Sequence, residues 1–81
     1  MNVIERLTDV GTVTSAADEW SVNYDLLVTE ENGLGNVVGR ITPGRRPRSL
    51  TISMLTMADG RKLKFSFRNE QGDIDFVEWI R

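Results

Sequence analysis

The sequence predicts an all-β fold: a small antiparallel meander of five to six strands curled into a barrel or half-barrel. Three observations carry this. Asp59-Gly60 and Asn32-Gly33 each lie between alternating apolar runs. Such dipeptides are strong hairpin signals, because a two-residue type I′ turn needs positive φ at both central positions. Trp20, Val22, Tyr24, Leu26 and Val28 alternate with Ser21, Asn23, Asp25, Leu27 and Thr29, the period of a half-buried strand. Finally, 81 residues read as one domain, 1–81, with a modest core. A short twisted meander of that size tends to close on itself.

Residues 2–15 read as a first strand, bulged or bent at Gly11, because residues 10–15 are rich in β-branched side chains. Val3, Ile4, Leu7 and Val10 fit helical spacing about as well, so a short N-terminal helical turn is the alternative. Residues 15–19 form a loop or one helical turn, with Ser15 as its N-cap. The second strand covers residues 20–30. Asn32-Gly33 then sets the third strand, residues 34–42, in a register that places Val28 opposite Val37, Leu26 opposite Gly39 and Tyr24 opposite Ile41. Asp25 falls opposite Arg40 on the outer face, and Gly39 marks a bend.

Pro43-Gly44 is a turn, and Arg45-Arg46-Pro47-Arg48 is extended, since Pro47 biases Arg46 toward β or polyproline geometry. The hairpin over residues 50–68 follows. A two-residue turn at Asp59-Gly60 pairs Met57 with Lys62, Met54 with Phe65 and Ile52 with Phe67. Ile52, Met54, Leu63, Phe65 and Phe67 then face the core, and Leu55, Met57, Lys62 and Lys64 face outward. The last strand, residues 73–80, pairs Phe67 with Ile74 and Phe65 with Phe76. Its pattern breaks over residues 77–80, where a bulge or two-sided burial is expected.

Composition limits the chemistry. With no cysteine and no histidine there is neither a thiolate nor the usual acid–base group at neutral pH. No apolar run exceeds three residues, and Glu5 and Arg6 interrupt any leader-like stretch, so the expected setting is cytoplasmic with no membrane partner. Charge is segregated. Residues 1–39 carry seven acids against Arg6, residues 40–68 carry eight bases against Asp59, and residues 69–81 carry four acids against Arg81. Neighbouring strands are expected to match these charges, with a basic surface for an anionic partner as the other reading.

No catalytic constellation, metal site or cofactor site is expected. Asp73 and Asp75 share a face but answer Arg68, and residues 69–75 resemble a calcium loop only faintly. The glycines of residues 33–39 miss a phosphate-binding fingerprint by one residue and open no helix. Two surfaces remain. Carried to the last strand, the hairpin register builds an outward patch of Leu55, Met57, Val77 and Trp79 threaded by Lys62 and Lys64, with a lysine over the Trp79 ring. Such a patch suits a homo-oligomer or another protein, or is covered as a second core layer. Arg45, Arg46, Arg48, Lys62 and Lys64 form the nucleic-acid alternative. The functional expectation is therefore a non-enzymatic interaction or oligomerisation module, with a nucleic-acid-binding barrel as the rival.

Overall fold

Tight turns organise the first half of the chain. The computed structural model describes residues 2–46 and 51–80. β1 (Asn2–Ser15) and β2 (Asp18–Glu31) are joined by Ala16-Ala17 alone, with Ala16 at a φ of 51°. Ser15 is thus the last residue of a strand and caps no helix. β1 is a strand throughout, and its irregularity lies between Val3 and Glu5 rather than at Gly11. Gly11 is instead a point of close approach. A Cβ there would stand 2.5 Å from the Thr56 carbonyl oxygen and 3.2 Å from the Tyr24 ring.

Asn32-Gly33 turns β2 into β3 (Leu34–Thr42) in the expected register, with Val28 opposite Val37, Leu26 opposite Gly39, Tyr24 opposite Ile41 and Asp25 opposite Arg40. Both turn residues have positive φ, 53° and 79°, as a type I′ turn demands. Among the described residues there is no helix; the other strands are β4 (Ser53–Thr56), β5 (Lys62–Phe67) and β6 (Ile74–Ile80).

The six strands form one antiparallel sheet in the order β3-β2-β1-β4-β5-β6, two three-stranded meanders joined where β1 meets β4. The sheet curls until β3 approaches β6. There the Ile41 amide donates to the Gly72 carbonyl and Arg40 bridges to Asp73, so the barrel is nearly closed. Among the described residues the core holds Leu7, Val13, Val22, Tyr24, Leu26, Val37, Ile41, Leu55, Met57, Leu63, Phe65, Phe67 and Ile74.

The central hairpin departs from the expected register by one residue. Ser53 pairs with Phe65, Met54 with Lys64, Leu55 with Leu63 and Thr56 with Lys62. The loop has three residues, Ala58-Asp59-Gly60. The Gly60 amide donates to the Met57 carbonyl, the Met57 amide donates to the Arg61 carbonyl, and Gly60 alone has positive φ, 92°. This is a type I turn closed by a glycine bulge, the other hairpin solution compatible with Asp-Gly. Asp59 favours it, because its carboxylate accepts from the Arg61 amide at 2.9 Å. A slip of one residue exchanges the faces of β4. Leu55 and Met57, expected outside, are 0% and 3% exposed, while Ile52, expected in the core, is 53% exposed. Met54 is half-buried on the outer side.

At the last hairpin Phe67 pairs with Ile74 and Phe65 with Phe76 as expected, and the anticipated bulge falls at Val77. It brings Glu78 opposite Lys64 and Trp79 opposite Leu63, so Trp79 turns to the core side.

The two registers make opposite demands on β4. Leu55→Ala is expected to cost about 3 kcal/mol through the lost transfer energy and the cavity left behind. Ile52→Ala is expected to cost under about 0.5 kcal/mol, as exposed positions do. Urea unfolding of both variants checks this; the reverse order of midpoints would restore the two-residue turn.

Candidate functional site

The register change takes apart the outward patch that the alternation predicted. Leu55 and Met57 line the core, and Trp79 packs against it at the β6 edge. Val77 is exposed on its bulge, while Lys62 and Lys64 stay on the outer side of β5, with Lys64 bridged to Glu78. For Leu55 and Met57, burial in the core is therefore the outcome. The cation over Trp79 is Arg61, 5.5 Å from the ring, and not a lysine.

The basic residues of the nucleic-acid alternative are dispersed. Arg45 is held at one end of the barrel, with its guanidinium on Asp18 at 2.6 Å and its Cζ over the Trp20 ring, 3.9 Å from the centroid. Trp20 stacks on Phe67 and donates to the Pro43 carbonyl at 3.1 Å, which anchors the start of the β3–β4 connection. Arg46 is exposed beside it; Pro47 and Arg48 lie outside the described residues. Lys62 sits at the far end of β5 from Phe67, roughly 17 Å away at the usual rise of a strand. Lys64 lies between and is paired.

The matching of opposite charges across strands is realised instead. Asp18, Glu5, Asp73, Asp75 and Glu78 answer Arg45, Arg61, Arg40, Arg68 and Lys64. Asp25, opposite Arg40 in register, is taken by Arg6 at 3.0 Å. Asp73 is held on three sides. The Asn69 side chain donates to its carboxylate and accepts from its amide, and Arg40 donates at 3.0 Å. The Asn69 hydrogen bond first, then Arg40, keeps the Asp73 carboxyl below the ordinary aspartate range. The Arg61 amide and guanidinium do the same for Asp59. Among the described residues no three potential metal-ligating acids gather, and the residues read as a faint calcium loop form this turn.

Two hollows mark the surface. A recess of about 70 Å³ is lined by Ser15, Asp18, Arg45, Arg46, Ser53 and Phe67. That is well below the roughly 300–1,000 Å³ of ordinary small-molecule pockets. A shallow outer groove of about 470 Å³ runs over Leu27, Val38 and Gly39 between the Arg6–Asp25 and Arg40–Asp73 pairs.

Sequence reasoning missed a third feature. β1 and β2 have 14 residues each, but β1 pairs with β4 over only Thr12, Val13 and Thr14. The β1–β2–β3 sheet therefore runs on past that pairing as an arm whose inner side stays buried at Leu7, Leu26 and Val37. Among the described residues, no strand pairs with the outer edge of β1 over residues 2–11 or of β3 over residues 34–39. Val3, Ile4 and Leu34 are exposed toward its tip, Leu34 at 76%. Unequal strand lengths were the available signal.

No protein-family model, no curated protein and no solved structure matches the chain.

The depressed carboxyls set a pH dependence. An aspartate in the unfolded chain titrates near about 3.9. Folded Asp59 and Asp73 titrate lower, so their contribution is present above that value and is lost as pH falls through the folded values. Asp73→Asn is expected to start from a lower urea midpoint at pH 7 and to lose less than wild type between pH 5 and pH 2. An equal acid-induced loss in both would contradict it.

Proposed function

We propose that the protein is a non-enzymatic interaction module that associates through the tip of its β1–β2–β3 arm. The observation that carries this reading is the unequal length of the two meanders. Among the described residues it leaves the main-chain edges of β1 over residues 2–11 and of β3 over residues 34–39 without a strand partner, with Val3, Ile4 and Leu34 exposed near them. Exposed large apolar side chains beside unpaired strand edges are a usual mark of an interface. A core of thirteen buried apolar residues also gains from association, since small domains bury a low fraction of their surface alone. The working surface moves accordingly, from the back of the central hairpin to the arm of the first two hairpins.

Sedimentation equilibrium in the micromolar range tests the reading. Wild type is expected to self-associate, and Ile4→Lys and Leu34→Lys are expected to shift it to monomer while leaving the far-UV spectrum unchanged. Both positions are exposed, so neither substitution should cost more than about 0.5 kcal/mol of folding stability. A wild-type monomer throughout that range would overturn self-association.

A further inference from the structure

The apolar interior stops short at the end of the barrel away from the arm's tip. β1 and β4 pair as far as Thr14 and Met54. Carried on by one residue, the same register sets Ser15 opposite Ser53, on the inner side. The row below is Val13, Leu55 and Leu63; this row begins with two hydroxyls. Serine is smaller than any of those side chains, and the shortfall opens the recess of about 70 Å³ that both serines line. Ser15 is 6% exposed and Ser53 3%. Among the described residues, the hydroxyls of Thr29 and Ser66 reach carbonyls, whereas those of Ser15 and Ser53 have no hydrogen-bond partner. Buried hydroxyls are ordinarily hydrogen-bonded, so two open ones in a single recess call for a ligand that brings acceptors.

Cations supply the rest of the lining. Arg45 is fixed in place, with its guanidinium on Asp18 and over the Trp20 ring, and Trp20 is itself stacked on Phe67. One carboxylate oxygen occupies only part of a guanidinium's donor set, so Arg45 keeps N–H groups for a ligand. Arg46 also lines the recess, is exposed, and has no salt-bridge partner among the described residues. Asp18 lines it too, but two guanidiniums against one carboxylate leave the recess net positive. Phe67 forms an apolar wall.

We propose that this recess binds a tetrahedral oxyanion of the terminal-phosphate class, held by the Ser15 and Ser53 hydroxyls and the guanidiniums of Arg45 and Arg46. The donors come from three sides, β1, β4 and the β3–β4 connection, which suits oxygens spread around a centre better than the two in-plane oxygens of a carboxylate. Size agrees. A water-sized group needs roughly 10–15 Å³ of such space, so about 70 Å³ holds a group of roughly five heavy atoms, the number in a phosphate. A terminal phosphate enters with its ester oxygen outward; a diester, with chain on two sides, does not seat. The site lies at the opposite end of the β1–β2 hairpin from Ile4 and Leu34, so it goes beyond the interaction-module reading and does not depend on it.

Inorganic phosphate, titrated into the full chain at constant ionic strength, is the first probe. It is expected to give a saturable change in tryptophan emission, through Trp20 beneath Arg45, and amide shifts centred on Ser15, Arg45, Arg46 and Ser53. Arg46→Gln is expected to weaken binding by about tenfold, the loss of one charge-assisted hydrogen bond. Ser53→Ala is expected to weaken it by about fivefold and yet to leave the urea midpoint unchanged or raised, because a methyl group buries no unmet hydrogen bond. Glycerol 3-phosphate binding more tightly than inorganic phosphate makes the occupant a phosphate ester; the reverse order makes it the free anion. No saturable change, equal affinity for acetate, or wild-type binding by Arg46→Gln would each overturn the proposal. A lowered midpoint in Ser53→Ala would do so too, since the hydroxyl would then serve the fold. An oligonucleotide without a terminal phosphate that binds as tightly as phosphate would make this a nucleic-acid surface, also against it. Sedimentation reads self-association separately, so failure of the arm interface and failure of the anion site are distinguishable.

Discussion

Three residue pairs between β1 and β4 join the two halves of this barrel, and the middle one, Val13 against Leu55, decides how the rest packs. Both side chains are fully buried, and Leu63 continues the row on β5. Once Leu55 faces inward, Met57 must as well, and Ile52 and Met54 must face out. The turn then needs an odd number of residues to return β5 with Leu63, Phe65 and Phe67 inside. Gly60 supplies the left-handed position that a three-residue loop requires. Tyr24 ties the turn to the other meander, because its hydroxyl accepts from the Ala58 amide at 3.2 Å. Gly11 leaves room for that ring and for the end of β4. A local choice of turn and a long-range contact thus satisfy one another.

The ion pairs stand on a different footing. Among the described residues each joins side chains that are exposed by a third or more, and such pairs contribute roughly 0–1 kcal/mol each. Their sum cannot rival the burial of Phe65, Leu26, Ile41 and Leu55. Their arrangement nevertheless follows the topology. Arg40–Asp73 sits where β3 meets β6, Arg61–Glu5 where the central turn meets β1, and Arg45–Asp18 where the β3–β4 connection passes the first hairpin. The segregation of acids and bases along the chain is what places opposite charges on these junctions. A wrong strand neighbour would set like charges together, so the pattern opposes alternatives more than it stabilises the native state.

What could be read from the residues follows the range of the interactions involved. The β2–β3 register is entirely local: Asn32-Gly33 admits one short turn that keeps Tyr24, Leu26 and Val28 on the face of Ile41 and Val37. The β5–β6 register and its bulge were legible too, because Phe65 and Phe67 have no apolar alternative to Phe76 and Ile74. The face of β4 was not. Leu55 and Met57 on one side balance Ile52 and Met54 on the other, so the hairpin alone is nearly indifferent and Asp59-Gly60 serves either loop. The tie is broken by Val13, some forty residues earlier, whose pairing no local pattern announces. The predicted patch depended on the losing side of that tie, and Val77 and Trp79 lost their neighbours with it.

The same logic explains why the arm escaped notice. Side-chain patterns advertise faces, whereas an edge is made of amides and carbonyls that every residue carries alike. An edge becomes visible only when strand lengths and neighbours are known. Here the 14 residues of β1 have only the four of β4 beside them, and β3, with nine, meets the seven of β6 through a single bridge, so among the described residues the barrel is nearly but not fully closed. The chain spends charge and irregularity on the edge of β1, yet leaves β3 as an uncharged run ending in Gly39. If solubility were the only demand, both edges would be expected to carry the same protection, since an unguarded edge invites non-specific pairing.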